Sequence, residues 1–401
     1  MNLESQFFFQ FNQQNEQLCN LEKLIKESQD YLNSTINLLS YSPYDVTNGE
    51  QYLAIGLLNE LKLLVQKPQQ LNQPIKHELY KEIVIRSSSQ FERLKLCDWT
   101  QWRKDQTKTQ VIGFTGILGI IYICDISKYI KKSIKELSGH GGEVTDLKFN
   151  KLDPFLLASC STDKTIRLWD CFQMQQLCVI GQTAFPTSEF SSIDWHQTSH
   201  KLVSSSFDQV IRVYDMSDLI INSLALKTSS SSGSIIDLHI EIIQPFIGDF
   251  KLQNFLLRTY QYIIKEDQNI CEQVKFLNDL VILKTLNSKI LILKLFETVA
   301  SSKENQFLDY LLISEIDLPK TSASILDIKF DYKAIEREGS DVILAIGDAD
   351  GYINIFSLTQ NGLIKRQLIC ENKALKSVSF SQCGKYLTCS NEDRKIYFYL
   401  L

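Results

Sequence analysis

The sequence predicts an all-β fold, a seven-bladed propeller, and three observations carry that prediction. Residues 139–170 read GHGGEVTDLKFNKLDPFLLASCSTDKTIRLWD, where apolar positions alternate, polar turns intervene and Asp163 stands six residues before Trp169. The pattern recurs every 45 residues from Cys124 through Trp169 to Tyr214, and again at 43 residues between Phe356 and Tyr399. Two weaker copies, YLAIGLLNELKLLV and VKFLNDLVILKTLNSKILILKL, put Leu63 and Leu293 at the same position and bring the third strands to seven. A period of about 40–45 residues with four short strands per copy is the signature of propeller blades.

The elements follow in order. Residues 1–33 read as an N-terminal extension and residues 34–401 as the propeller. Within the extension, Gln6–Asn12 (QFFFQFN) is aromatic-rich and has strand propensity. The chain ends two residues after Tyr399, so the last blade lacks a fourth strand of its own, and Gln6–Asn12 is expected to pair at its outer edge. Asn15–Leu32 reads as a short helix, with Leu18, Leu21, Ile25 and Leu32 on one face and Glu22, Lys23, Lys26 and Glu27 opposite. The longer intervals of 61, 79 and 63 residues, before Cys124, Leu293 and Phe356, mark insertions. One of them contains the Ser-rich run Thr228–Ser234, a flexible linker by composition.

The repeat at 139–170 also implies a hydrogen-bonded clasp. His140, Ser159, Asp163 and Trp169 are spaced so that imidazole, hydroxyl, carboxylate and indole N–H can satisfy one another inside the blade. The same residue types invite a hydrolase reading, with Ser159 or Ser161 as nucleophile and His140 as base. Against it, the sequence has no G-x-S-x-G elbow, and no nucleotide motif accompanies these residues. No catalytic residue and no cofactor is predicted.

Composition narrows the classes further. A net charge of −5 argues against nucleic-acid binding as the main role, because neutralising phosphates needs clustered Lys and Arg. The basic run Lys128–Lys135 reads as a solvated strand or turn. The ten cysteines include no C-x-x-C pair, and Cys124, Cys160, Cys271 and Cys389 fall in strand runs, which points to free thiols in a reducing compartment. With five scattered histidines, no metal site is predicted. No long apolar run or leader is present, so a nuclear or cytoplasmic protein without a membrane segment is expected.

The repeats are WD repeats, and certain patches go beyond them. LCDWTQW with GILGIIYICDI, the Gly139–Trp169 repeat, QPFIGDF, VKFLNDLVILKTLNSKI, and the closing pair SILDIKF…ILAIGDADGYINIF and SVSFSQCGKYLTCSNEDRKIYFY resemble the extra sex combs / embryonic ectoderm development family of Polycomb proteins. The likeness extends over roughly residues 35–401, with gaps in the insertions. It implies a noncatalytic scaffold subunit of a Polycomb repressive complex 2-like histone H3 lysine methyltransferase, acting in the nucleus in chromatin silencing. It further implies a SET-domain catalytic subunit and other Polycomb subunits as partners, with the histone H3 tail as a possible ligand.

In that family an aromatic cage at the channel mouth reads a trimethylated lysine, since ring faces attract a quaternary ammonium. Carried over residue by residue, the cage positions fall on Ile36, Lys95, Leu326 and Asp327, none of them aromatic. Either readout is lost or nearby rings replace it. Tyr41 and Trp102, expected in loops, together with Trp99 and Phe190, are the possible substitutes, although Trp99 also reads as a core strand residue. The alternative function is a general WD-repeat adaptor for ubiquitin ligation, trafficking or cytoskeletal assembly, since the shared repeat motifs alone permit it.

Overall fold

A computed structural model describes residues 17–19, 38–44, 51–57, 60–66, 77–84, 92–104, 107–127, 134–181, 188–217, 240–242, 248–252, 255–263, 270–296, 309–319, 328–335, 341–358, 362–370, 373–384, 386–393 and 395–400. Their strands form a seven-bladed β-propeller. In chain order β1 (Gln17–Cys19) precedes the first blade, which is β2 (Leu38–Tyr41), β3 (Gln51–Leu57), β4 (Glu60–Gln66) and β5 (His77–Val84). The second is β6 (Leu94–Lys104), β7 (Thr107–Gly116), β8 (Ile121–Asp125) and β9 (Ile134–Leu137). The third begins with β10 (Val144–Phe149), β11 (Leu156–Ser161), β12 (Thr165–Asp170) and β13 (Gln175–Gly181). The fourth begins with β14 (Phe190–Trp195), β15 (Lys201–Ser206) and β16 (Val210–Asp215). The insertion that follows supplies β17 (Ile240–Ile242), β18 (Gly248–Leu252) and β19 (Phe255–Ile263). The fifth blade is β20 (Cys271–Leu277), β21 (Leu280–Thr285), β22 (Lys289–Leu295) and β23 (Tyr310–Asp317). The sixth is β24 (Phe330–Ile335), β25 (Asp341–Gly347), β26 (Tyr352–Ser357) and β27 (Gly362–Leu368). The seventh is β28 (Leu375–Phe380), β29 (Tyr386–Asn391) and β30 (Ile396–Leu400), joined by β1.

All seven residues read from the period lie on third strands: Leu63 on β4, Cys124 on β8, Trp169 on β12, Tyr214 on β16, Leu293 on β22, Phe356 on β26 and Tyr399 on β30. Their positions are buried, with exposures of 0–4%. The turn from second to third strand is also repeated. Lys164, Gln209 and Ser288 occupy it at φ of 67°, 66° and 61°, and Gly119 and Gly351 at 74° and 88°. A left-handed residue there lets two antiparallel strands connect tightly without splaying.

Two compact units comprise the chain, one of residues 96–320 and one of residues 1–95 with 321–401. In the first, the blade interiors join Leu156, Ile166, Leu168, Ile193, Trp195 and Tyr214 into one cluster and Val274, Leu283, Leu291 and Leu293 into another. In the second, Leu39, Tyr41, Leu53, Ile55 and Phe398 pack together, as do Ile343, Ile355, Leu387 and Tyr399. Burying such side chains contributes roughly 1.5–3 kcal/mol each.

Two features of the N-terminal reading are corrected. The outer edge of the seventh blade is occupied by β1, with Gln17 opposite Phe398, Leu18 opposite Tyr397 and Cys19 opposite Ile396. The segment expected there, Gln6–Asn12, lies outside the described residues. Gln17–Cys19 falls inside the span expected to be helical, and there the helix gives way to a strand. A short amphipathic stretch fits either period, and the unpaired backbone edge of β30 decides in favour of pairing. The rest of Asn15–Leu32 lies outside the described residues.

The insertion between Tyr214 and Leu293 also adds edge strands. β19 supplies the fourth strand of blade four and β18 a fifth, while β17 pairs in parallel with β13 and widens blade three to five strands.

Candidate functional site: the blade clasp and the inner strands

The clasp of the third blade is built from the entering loop, the turn between β11 and β12 and two strand positions. Trp169 Nε1 on β12 donates to Ser159 Oγ on β11 at 2.8 Å, and Ser159 Oγ lies 2.7 Å from His140 Nε2. His140 Nδ1 lies 2.9 Å from Asp163 Oδ2. A carboxylate can only accept, so Nδ1 carries the proton and Nε2 accepts from the serine hydroxyl. Asp163 also accepts from the Gly141 amide at 2.9 Å and from the Thr165 amide and hydroxyl at 2.9 and 2.7 Å. Burial opposes its charge, but the His140, Thr165 and Gly141 donors outweigh burial and hold the carboxyl well below the usual range. Burial lowers the His140 pKa and keeps the ring neutral.

Ser159, His140 and Asp163 therefore have the bonding order of a hydrolase triad. Chemistry at Ser159 is blocked by its surroundings: the residue is 0% exposed, the His140 side chain is 0% exposed, and the hydroxyl already accepts the Trp169 indole. A substrate carbonyl has no approach to the oxygen. The same groups instead tie the loop entering the blade to its second and third strands.

A second set of polar side chains lies on the innermost strands. In the unit of residues 96–320, Asp98 on β6 accepts the Phe149 amide of β10 at 2.7 Å, and Asp194 on β14 accepts the Phe276 amide of β20 at 2.9 Å. On β10 between them, Lys148 takes the position that Asp98 and Asp194 hold in their own blades, one residue before the aromatic. It donates to Asp146 at 3.0 Å. Burial opposes the charge on Lys148, yet Asp146, Asp98 and Asp194 outweigh it and hold the ammonium above its usual pKa. Burial raises the Asp194 pKa against the pull of Lys151, Lys148 and Lys275. Hydroxyls add a further row: Thr145 donates to the Phe190 carbonyl at 2.8 Å and Ser191 to the Cys271 carbonyl at 2.7 Å. Trp195 reaches back from blade four to the Lys148 carbonyl at 3.0 Å.

In the other unit the same position recurs. Asp331 on β24 accepts the Phe380 amide of β28 at 3.0 Å, and Ser379 on β28 accepts the Tyr41 amide of β2 at 3.0 Å. This repeated hook was missed in the sequence, where its signal is an alternation of charge before an aromatic: Asp98-Trp99, Lys148-Phe149, Asp194-Trp195, Lys275-Phe276. A polar side chain that completes a neighbouring blade's backbone satisfies an amide that the inner strand would otherwise leave unpaired.

Of the cage positions, Lys95 is half-buried on β6, while Ile36, Leu326 and Asp327 lie outside the described residues. Tyr41 and Trp102 are on strands β2 and β6, which corrects their expected placement in loops. Tyr41 ends a four-residue strand and Trp102 lies near the end of β6 in a polar stretch, where period-2 alternation is weak, so both positions read as loop. The Tyr41 ring is buried and its hydroxyl bonds Gln66 Oε1; Trp99 and Phe190 are buried at 2% and 0%. Trp102 is half-buried, donates from Nε1 to the Pro154 carbonyl at 3.0 Å, and sits 5.2 Å from the Phe155 ring. Among the described residues no group of three or more His, Cys, Asp or Glu could hold a metal ion. The described cysteines are unbridged, and burial pushes the Cys178 and Cys271 thiols up to about 12.

Comparison with known proteins agrees with this architecture. The family described as WD domain, G-beta repeat matches residues 131–170, 179–215 and 364–399. Polycomb group protein FIE1 of rice (Oryza sativa subsp. japonica) is 22% identical over 302 residues, 74% of this chain and 58% of that protein. Polycomb protein esc of Drosophila melanogaster is 27% identical over 118 residues, 29% of this chain and 27% of the fly protein. The chain is a WD-repeat propeller homologous to the Polycomb proteins FIE1 and esc. It spans less than two thirds of the length of these relatives. A chain of the Chaetomium thermophilum Polycomb Repressive Complex 2 bound to GSK126 superposes with a TM-score of 0.71 at 13% identity, covering 93% of this chain and 96% of that one, a likeness of fold.

Proposed function

We propose that this protein is a noncatalytic scaffold subunit of a Polycomb repressive complex 2-like histone H3 lysine methyltransferase, working on chromatin in the nucleus. The observation that carries the reading is the homology to a Polycomb group protein across 74% of the chain, well beyond the three matched WD repeats. The fold supports it, because the polar groups of clasp and inner strands are spent on holding blades together. A rigid platform of this kind presents its faces to other proteins. A SET-domain catalytic subunit and further Polycomb subunits are the partners, with residues 34–401 as the platform and residues 1–33 as an extension that lends it β1.

The test is purification of the tagged full chain from nuclei, followed by mass spectrometry and a methyl-transfer assay. A SET-domain methyltransferase should co-purify, and the chain alone should transfer no methyl group to histone H3. Recovery of a ubiquitin ligase or coat complex without a methyltransferase would replace this reading with that of a general WD adaptor.

A further inference from the structure

Among the described residues β23 is the outer edge of blade five, whereas β17 and β18 cover the equivalent edges of blades three and four. Exposed strand edges attract further strands, and proteins blunt them with charge, above all lysine. β9 follows that rule with exposed Lys135, but β23 contains neither Lys nor Arg. Its solvent-facing row instead carries Leu311 and Ile313, 50% and 47% exposed. Acids stand on either side of this apolar pair in the same row: exposed Asp309 before it, exposed Glu315 and Asp317 after it. Glu315 is paired with Lys289 on the neighbouring strand β22 at 2.5 Å, which leaves Asp309 and Asp317 at the two ends.

We propose that β23 is a docking edge for an extended segment of a partner protein, which adds antiparallel to blade five as a fifth strand. The chemistry of that segment follows from the row it meets. Its alternate residues are β-branched or aliphatic opposite Leu311 and Ile313, and basic opposite Asp309 and Asp317. Backbone bonds supply the affinity and these side-chain pairs set the register. The inference is independent of the proposed Polycomb role, since any partner with this pattern satisfies it.

The probe is a fluorescein-labelled peptide, Lys-Thr-Lys-Thr-Val-Thr-Val-Thr-Lys, titrated against the full chain and followed by anisotropy. Binding should weaken at least about tenfold when glutamate replaces its lysines or when Ile313→Lys is introduced, the scale of a lost cross-strand pair plus a new like charge. Backbone N-methylation of the peptide should abolish it. Asp317→Lys, at an exposed site, should weaken the lysine peptide and strengthen the glutamate peptide. Absence of binding by the lysine peptide, or binding indifferent to N-methylation and to both protein variants, would overturn the proposal.

Discussion

Asp194 accepts the backbone N–H of Phe276 at 2.9 Å, so a carboxylate on the inner strand of one blade completes the backbone of the next. Asp194→Ala leaves that amide without its acceptor and removes one of the charges around Lys148. The loss should be about 1.5–3 kcal/mol of unfolding free energy, the range for hydrogen bonds to charged groups. Asp194→Asn keeps an acceptor oxygen and should lose less. Urea unfolding of the two variants beside the parent chain measures both, and an unchanged midpoint for Asp194→Ala would show that the hook holds nothing.

Trp169→Phe removes the indole donor to Ser159 at 2.8 Å together with part of a buried ring. A decrease of about 2–4 kcal/mol in stability is expected from the two losses, with the circular dichroism spectrum retained.

Acid should act on the clasp before it acts on the cores. The His140 pKa is lowered by burial, so the unfolded chain takes up this proton more readily, beginning near pH ~6.5. Asp163 is held below the usual carboxylate range, so its contribution is present above pH ~4 and disappears as pH falls through the folded-state value. Both signs give stability that falls with pH. Thermal unfolding midpoints should therefore drop steadily below about pH 6.5, and His140→Gln should flatten the upper part of that slope.

Gly351 sits at φ 88°, and a Cβ there would collide with the Cys370 carbonyl oxygen. Gly351→Ala combines left-handed strain with displacement of a backbone that Ile369 uses to bond Gly351, and should cost more than about 2 kcal/mol. Soluble expression and thermal midpoint would report it.

Readout of methylated lysine should be weak. Where the family resemblance implies cage aromatics the sequence has Lys95, Leu326 and Asp327, and each ring contact so replaced is worth about 0.5–2 kcal/mol. Calorimetric titration with matched trimethylated and unmethylated H3 peptides should find little difference between them. A marked preference for the trimethylated form would point to Trp102, the half-buried ring of the candidate set.

Periodicity alone located all seven third strands, because each blade repeats its turn chemistry and apolar alternation within a local stretch of chain. His140, Ser159, Asp163 and Trp169 were legible as a clasp for the same reason, being joined within 30 residues of sequence. The inner hooks were partly legible, since the alternation of Asp-Trp and Lys-Phe is present in the sequence but acquires meaning only when Asp194 faces Phe276 across 82 residues. What covers each sheet edge was decided by tertiary structure alone. Gln17–Cys19 meets β30, and Ile240–Ile242 joins β13 in parallel, because an unpaired edge accepts whichever segment the fold brings to it and side-chain pattern barely distinguishes candidates. Burial likewise separated the aromatics, withdrawing Tyr41, Trp99 and Phe190 into the cores, since exposure of a strand residue depends on what packs over it.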